Sequence, residues 1–220
     1  MFVGHYAAAL ALKRVEKKTS LGWLFLAVQF VDILFFPLVL MGIERVNIIE
    51  NFTPSTHFEL DYMPFTHGLL GSIIWAAVAY LLFLKLPKKQ DLSTKKVALL
   101  MAFAVFSHWA LDLVVHTPDL PLLGDNSLKL GLGLWNNAWL TFVLEAVLLM
   151  VALWLYLSGT EAVSDLGKYG MPGFILFLIA VNVYNIFGPP PEGQTSMVFM
   201  ALFSYFAFGA IAFWLDKYRR

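Results

Sequence analysis

The sequence predicts an all-α polytopic membrane protein: a bundle of about six transmembrane helices with one short extra helix at the N-terminus. Composition is the first reason. Of 220 residues 60% are hydrophobic and 14% charged, and the mean hydropathy is +0.73, well outside the balance of a soluble domain. The second reason is length: six apolar stretches, about 21–41, 65–84, 97–115, 134–157, 171–187 and 196–215, can each cross roughly 30 Å of hydrocarbon as a helix. Charge is the third. If the first span runs outward, Arg45 and Lys129 are the only two of the 15 Lys and Arg residues outside, a strong positive-inside bias that puts both termini in the cytoplasm. The whole chain, 1–220, reads as a single integral membrane domain.

The opening segment, "MFVGHYAAALAL", is about a dozen residues long and reaches about halfway across the bilayer, so it is expected to be re-entrant or interfacial. Its cations Lys13, Arg14, Lys17 and Lys18 follow the apolar run, unlike those of a signal peptide, so the segment is expected to be retained. The first full span carries Asp32 near its middle. An acidic outer loop follows, "NFTPSTHFELDYMP", in which His57 is expected to be solvated. His67 is placed a few residues inside the second span, beside Gly68, Gly71 and Ser72, a smooth ridge suited to close helix packing. The run "KLPKKQDLSTKK" reads as a cytoplasmic anchor for anionic lipid.

The third span ends in "SHWALDLVVHTPDLPL". His108, Asp112 and His116 are spaced i, i+4, i+8 and share one helix stripe. Asp119 and Asp125, near Pro121 and Gly124, are expected to form turns. On the fourth span Asn137, Thr141 and Glu145 repeat the same spacing. Trp23, Trp135, Trp139, Tyr156 and Trp214 lie near span ends, where an interfacial aromatic belt is expected.

Asp32, Asp112 and Glu145 each cost roughly 2.5–3.5 kcal/mol at a membrane helix centre. Three acids at the depth of several histidines point to a shared site. Without cysteine, thiolate metal sites and disulfides are excluded. Imidazoles and carboxylates suit one or two divalent ions, zinc first, then manganese, iron or cobalt. His108 and Asp112 can ligate one ion or bridge two, with His67 and Asp32 closing the polyhedron. Glu145 can be a ligand or the base. His5 approaches the same depth if its segment is re-entrant. A haem pair gives no reason for the acids. A proton- or ion-coupled transporter using the same Asp, Glu and His residues is the leading alternative, and a non-catalytic scaffold is the third reading. Formal net charge is zero and no basic stretch is interleaved with aromatics, so no nucleic-acid partner is expected.

"SHWALDLVVHTPDLPL" resembles the Ser-His-x-x-x-Asp segment of the bacterial and archaeal membrane-bound metal-dependent hydrolases, "PFTHGLLGS" is similar to their Thr-His-Ser stretch, and "VGHYAAALA" to their early His. The likeness spans roughly the first 120 residues. It implies metal ligands at His5, Asp32, His67, His108 and Asp112. The chain departs from the pattern in two places: "QFVDILF" offers Asp32 alone where that family has Pro-Asp-x-Asp, and "DYMPFTHG" lacks the usual His-Arg pair but brings Asp61 and Tyr62. The expected activity is metal-assisted hydrolysis of a phosphoester or ester on an amphiphile in a bacterial or archaeal inner membrane. Glu145 or Asp61 would serve as base, and His116 and Asn137 would orient ligands or substrate.

Overall fold

The computed structural model describes residues 1–85 and 94–220, so Lys88 and Lys89 of the expected lipid anchor lie outside the described residues. Helices dominate. In chain order they are α1 (His5–Val15), α2 (Leu21–Val28), α3 (Phe30–Leu40), α4 (Leu69–Lys85), α5 (Thr94–Val115), α6 (Ala138–Gly159), α7 (Asp165–Phe187) and α8 (Gln194–Asp216). Four of them, α5 to α8, are long and apolar enough to cross a membrane, and α2 with α3 makes a fifth if the pair is one span. These helices mark a membrane protein. α4 is apolar but has 17 residues, because the chain before it is a turn and not helix.

Two departures from helix shape the end of the bundle that follows α3. First, the loop after α3 is a β-hairpin, β1 (Arg45–Thr53) with β2 (Thr56–Tyr62), antiparallel with Arg45 opposite Tyr62 and Thr53 opposite Thr56. Thr53 closes its tip by accepting the amides of Ser55 and Thr56 on Oγ1, both at 3.2 Å. Val46 and Met63 bury against Phe35 and Val39 of α3 and Met197 and Val198 of α8. Second, a short ladder pairs β3 (Leu120–Pro121) with β4 (Lys129–Leu130), and a 3-10 turn, Leu134–Asn136, leads into α6.

The expected straight span over 21–41 is broken, with α2 and α3 meeting at 48°. Gln29 sits at the break, fully buried, and its amide nitrogen donates to the Phe2 carbonyl at 3.1 Å. The break releases the Val28 carbonyl, which in a continuous helix would serve the amide of residue 32. His108 takes it instead, donating from Nδ1 at 2.8 Å.

α1 is not interfacial. Val3, Tyr6, Ala9 and Leu10 are fully buried, and the helix stands inside the bundle against the core residues of α2, α5 and α6. Eleven residues rise about 16 Å, which carries His5 to mid-bundle and leaves Lys13 at one end. That end also gathers the other basic residues. Lys13 Nζ donates to the Thr19 carbonyl at 2.7 Å and to Asp216 at 2.8 Å; Lys96 pairs with Glu16 at 2.7 Å. Arg219 donates to the carbonyls of Leu157, Thr160 and Gly167.

Trp135 and Tyr156 do not join an aromatic belt, whereas Trp23, Trp139 and Trp214 are exposed. Trp135 packs over His116 with ring centroids 4.0 Å apart, and Tyr156 is buried under the Arg219 guanidinium.

Candidate metal centre

His67 belongs to the turn between β2 and α4, not to the helix itself. Glu44, fully buried, builds that turn: its carboxylate accepts the amides of Phe65 and Thr66 and the Thr66 hydroxyl, at 2.9, 3.0 and 2.7 Å. Gly68 and Gly71 serve the same reversal. A Cβ on Gly71 would overlap the Phe65 carbonyl and one on Gly68 that of Pro64, so these glycines permit a tight turn, not the helix ridge expected.

Around Asp112 the predicted residues converge from α1, α3, α5 and the His67 turn. His108 Nε2 lies 3.1 Å from Asp112 Oδ2 and 3.6 Å from Asp32 Oδ1. His67 Nε2 lies 3.2 Å from Asp32 Oδ1 and 4.0 Å from Asp112 Oδ2. His116 Nε2 is 3.7 Å from Asp112 Oδ2. His5 stacks on His108 at 3.8 Å between centroids and sets Nε2 3.2 Å from Asp112 Oδ1. That oxygen also accepts the Met1 ammonium at 2.5 Å. Two groups bring ligand atoms within 4.8 Å of one another: His5, His108 and Asp112, and Asp32, His67 and His108.

The imidazole tautomers follow from the groups behind them. Thr66 gives its single hydroxyl proton to Glu44, so toward His67 Nδ1, 2.9 Å away, it can only accept. His108 Nδ1 faces the Val28 carbonyl, and His116 Nδ1 faces the Asp119 carboxylate at 2.8 Å. Each Nδ1 therefore carries a proton, and each ring turns its Nε2 toward carboxylate oxygens. His67 Nε2 is within hydrogen-bond reach of Asp32 Oδ1 at 3.2 Å. His108 Nε2 and both His5 ring nitrogens are buried without a hydrogen-bond partner. The Met1 ammonium answers one oxygen of Asp112, and a cation among the ring nitrogens and carboxylates would answer the rest. With ligand bonds of about 2.0–2.1 Å a tetrahedral ion sets its ligand atoms about 3.3 Å apart. The imidazole–carboxylate separations between His67 or His108 and Asp32 or Asp112 run from 3.1 to 4.0 Å. Each of the two buried groups could hold a metal ion.

Glu145 lines the same cavity, with Oε2 accepting the amides of Gly4 at 2.8 Å and Phe2 at 3.3 Å. Two predicted residues stand apart. Asp61 is exposed on the hairpin and pairs with Arg45 at 3.1 Å, because strand alternation turns it to the outside. Asn137 caps α6, accepting the Leu140 amide at 3.0 Å, and is exposed. His57 is not simply solvated: its Nδ1 accepts the Asn51 amide and its Nε2 donates to the Gly188 carbonyl at 3.0 Å. Asp119 orients His116 besides shaping its turn. Sequence reasoning passed over Glu44 and Tyr205, whose hydroxyl donates to Asp32 Oδ2 at 2.9 Å. The cavity above the cluster holds about 600 Å³ and is walled mostly by apolar side chains such as Phe35, Phe36, Val46 and Met197, within the range of about 300–1,000 Å³ that accommodates an organic ligand.

Comparison with protein-family models, with curated proteins and with solved structures returns no match. The functional reading rests on the residues and their geometry.

Proposed function

We propose that the protein is a membrane-embedded metal-dependent hydrolase of the kind its Ser-His-x-x-x-Asp and Thr-His segments resemble. In this reading it is a six-span protein of a bacterial or archaeal inner membrane, with α2–α3 and α4 as the first two spans and α1 as a re-entrant helix. The C-terminus faces the cytoplasm with the basic end and the hairpin lies outside; the expected cytoplasmic N-terminus does not fit, because Met1 is buried on Asp112 within the bundle. His67, His108, Asp32 and Asp112 hold a divalent ion, zinc first. His5, beside the Asp112 oxygen that the Met1 ammonium holds, would join a second ion only in place of that ammonium, and His116, oriented by Asp119, stands next to Asp112. The observation that carries the reading is the set of Nε2 atoms aimed at carboxylates, each fixed by an acceptor behind its Nδ1. That arrangement orients imidazoles as ligands.

A bound ion supplies a Lewis acid and an activated water. The chain's own groups do the rest. Glu145, at the cavity wall, takes the proton lost by the attacking water and returns it to the leaving oxygen. Tyr205 and Thr66 keep Asp32 and His67 in place, and Phe35 and Phe36 keep bulk water away. Against a proton path, the core below His5 toward the basic end is mostly aliphatic among the described residues, with Leu10, Leu21, Leu24 and Leu149 fully buried and the Tyr6 and Tyr156 hydroxyls without hydrogen-bond partners.

The test is elemental analysis of detergent-purified protein beside the double variant His108→Ala, Asp112→Ala, followed by hydrolysis assays on phosphoester and carboxylic ester amphiphiles. One or two equivalents of metal, lost from the folded variant together with ester cleavage, is the expected result. Full transport activity in proteoliposomes without stoichiometric metal would replace this reading with the transporter.

A further inference from the structure

The cavity over the cluster is covered at its outer end but open at its side. The hairpin roofs it and is tied down on three helices: Ser55 Oγ donates to Thr141 of α6 at 3.1 Å, His57 to the Gly188 carbonyl that ends α7, and Gln194 of α8 to the Val46 carbonyl at 3.3 Å. The side wall lies between α7 and α8. In the basic half these helices are closed together by Phe174 and Phe177 packing on Phe208, with centroids 6.0 and 6.1 Å apart. Beyond that aromatic layer they part. Val181 and Tyr184 of α7 face Met200, Ala201 and Ser204 of α8 across the cavity, and Tyr184 and Met200 are also 63% and 59% exposed on the outside of the bundle. One set of side chains thus borders both the cavity and the surface that the spanning helices turn to lipid.

The depth of this slit is set by helix rise. Ser204 lies about ten residues into α8, about 15 Å from its start, and so near the middle of a roughly 30 Å hydrocarbon layer. The slit therefore runs from the outer interface to mid-bilayer. Its walls are apolar, whereas the metal-ligand cluster is polar and lies inward of it. The described lining contains no Lys or Arg, and Glu192 stands at the mouth. The Met1 ammonium is already held by Asp112, so at the entrance an anionic soluble substrate would meet Glu192 with no basic side chain to receive it. A lipid with an uncharged head meets no such penalty and keeps its chain in an apolar groove throughout entry.

We propose that the slit between α7 and α8 is a lateral portal through which a membrane lipid with an acyl ester and an uncharged head slides from the outer leaflet to the Asp112 cluster. The proposal deepens the hydrolase reading and rests on it for the chemistry. There, water adds across the acyl carbon–oxygen bond, giving a carboxylic acid and an alcohol. The acyl chain lies along α8 between Met200 and Ser204, and the ester bond reaches the ligands from the α3 side, past Phe36.

The test uses the full chain in nanodiscs with a monoacylglycerol whose acyl chain carries a diazirine, followed by peptide mapping of the photolabelled sites. Labelling of Val181, Ala201 and Ser204 is expected, and it should fall at least tenfold on Ser204→Trp and on Ala201→Trp, each filling the slit, with metal content unchanged. Having two variants guards against one that fails to fold. Labelling confined to the outward Phe199 and Phe203, or labelling of the slit that neither tryptophan reduces, overturns the portal. If the slit is labelled and blocked as expected but the monoacylglycerol is never cleaved, the portal stands and the hydrolase reading falls. Cleavage of that same lipid at an undiminished rate in both tryptophan variants leaves the hydrolase standing and rejects the portal.

Discussion

The two ends of the bundle both bury charge, and they do so in opposite ways. At the basic end every buried cation is answered. Lys13 meets a carbonyl and Asp216, Asp216 also accepts the Leu21 amide at 3.0 Å, and Arg219 spends its donors on three carbonyls and the Thr160 hydroxyl. Toward the outer end, ring nitrogens face carboxylates: His108 Nε2 stands 3.1 Å from Asp112 without a hydrogen bond. Intramembrane charge alone does not distinguish a strut from a site. The placing of unpartnered atoms does. At the basic end the unpartnered atoms, Asp216 Oδ1, Thr19 Oγ1 and the Tyr156 hydroxyl, are scattered, whereas His108 Nε2 and both His5 nitrogens gather around Asp112, and such a gathering of candidate ligands suits a cation.

The comparison breaks most directly at its hub. Asp112→Asn removes the carboxylate that lies within 4.0 Å of His5, His67, His108 and His116, so bound metal should fall to background while the basic end, and with it the fold, persists. Metal-to-protein ratio and circular dichroism on the same sample check this, and retained stoichiometric metal would erase the contrast. Arg219→Ala is the reciprocal change. It leaves several carbonyls short of a donor at a partly buried end and should cost about 2–3 kcal/mol of stability, visible as earlier thermal unfolding in detergent, with metal content intact.

A smaller effect sharpens the outer half. Thr66→Val deprives His67 Nδ1 of its acceptor and Glu44 of one donor, without touching a ligand atom. Metal affinity should drop about 10–100-fold, measured by competition with a chromophoric chelator; an unchanged affinity would mean that His67 is held by packing alone. The smallest effect belongs to the exposed Glu16–Lys96 pair. The Lys96 ammonium hydrogen-bonds the Glu16 carboxylate and holds its pKa below the ordinary glutamate value. A depressed acid stabilises the fold above its unfolded pKa and loses that contribution as pH falls through the folded value. After solvent screening the pair is worth about 0.5 kcal/mol or less. Glu16→Gln should therefore flatten the acid limb of the stability profile only slightly and leave metal binding alone.

Much of this contrast was legible in the sequence. Apolar runs located the helices, and the i, i+4, i+8 spacing put His108, Asp112 and His116 on one stripe that the structure brings together with Asp32, His67 and His5. Glu145 reaches the same cavity. The errors came where backbone, not periodicity, decides. Pro64 and Gly68 punctuate the chain around His67 and signal a turn, yet the apolar run beyond suggested helix. The bend at Gln29 leaves no proline or glycine as a marker. Asp61 and Glu44 are both acids in one outer segment, and only the hairpin register shows that the first points away and the second is fully buried beneath Thr66. Asn137 shares the Glu145 stripe but lies at the helix start, where capping claims it. Tyr205 is one aromatic among many until α8 is docked beside α3.

X-ray absorption spectroscopy of the zinc-loaded protein in nanodiscs tests the central claim most directly. The account predicts about four nitrogen and oxygen ligands near 2.0–2.1 Å with the multiple-scattering pattern of at least two imidazoles, reduced by one imidazole in His67→Ala. A first shell without imidazole scattering, or a spectrum that His67→Ala leaves unchanged, would contradict it and return the cluster to the same structural category as Lys13 and Asp216.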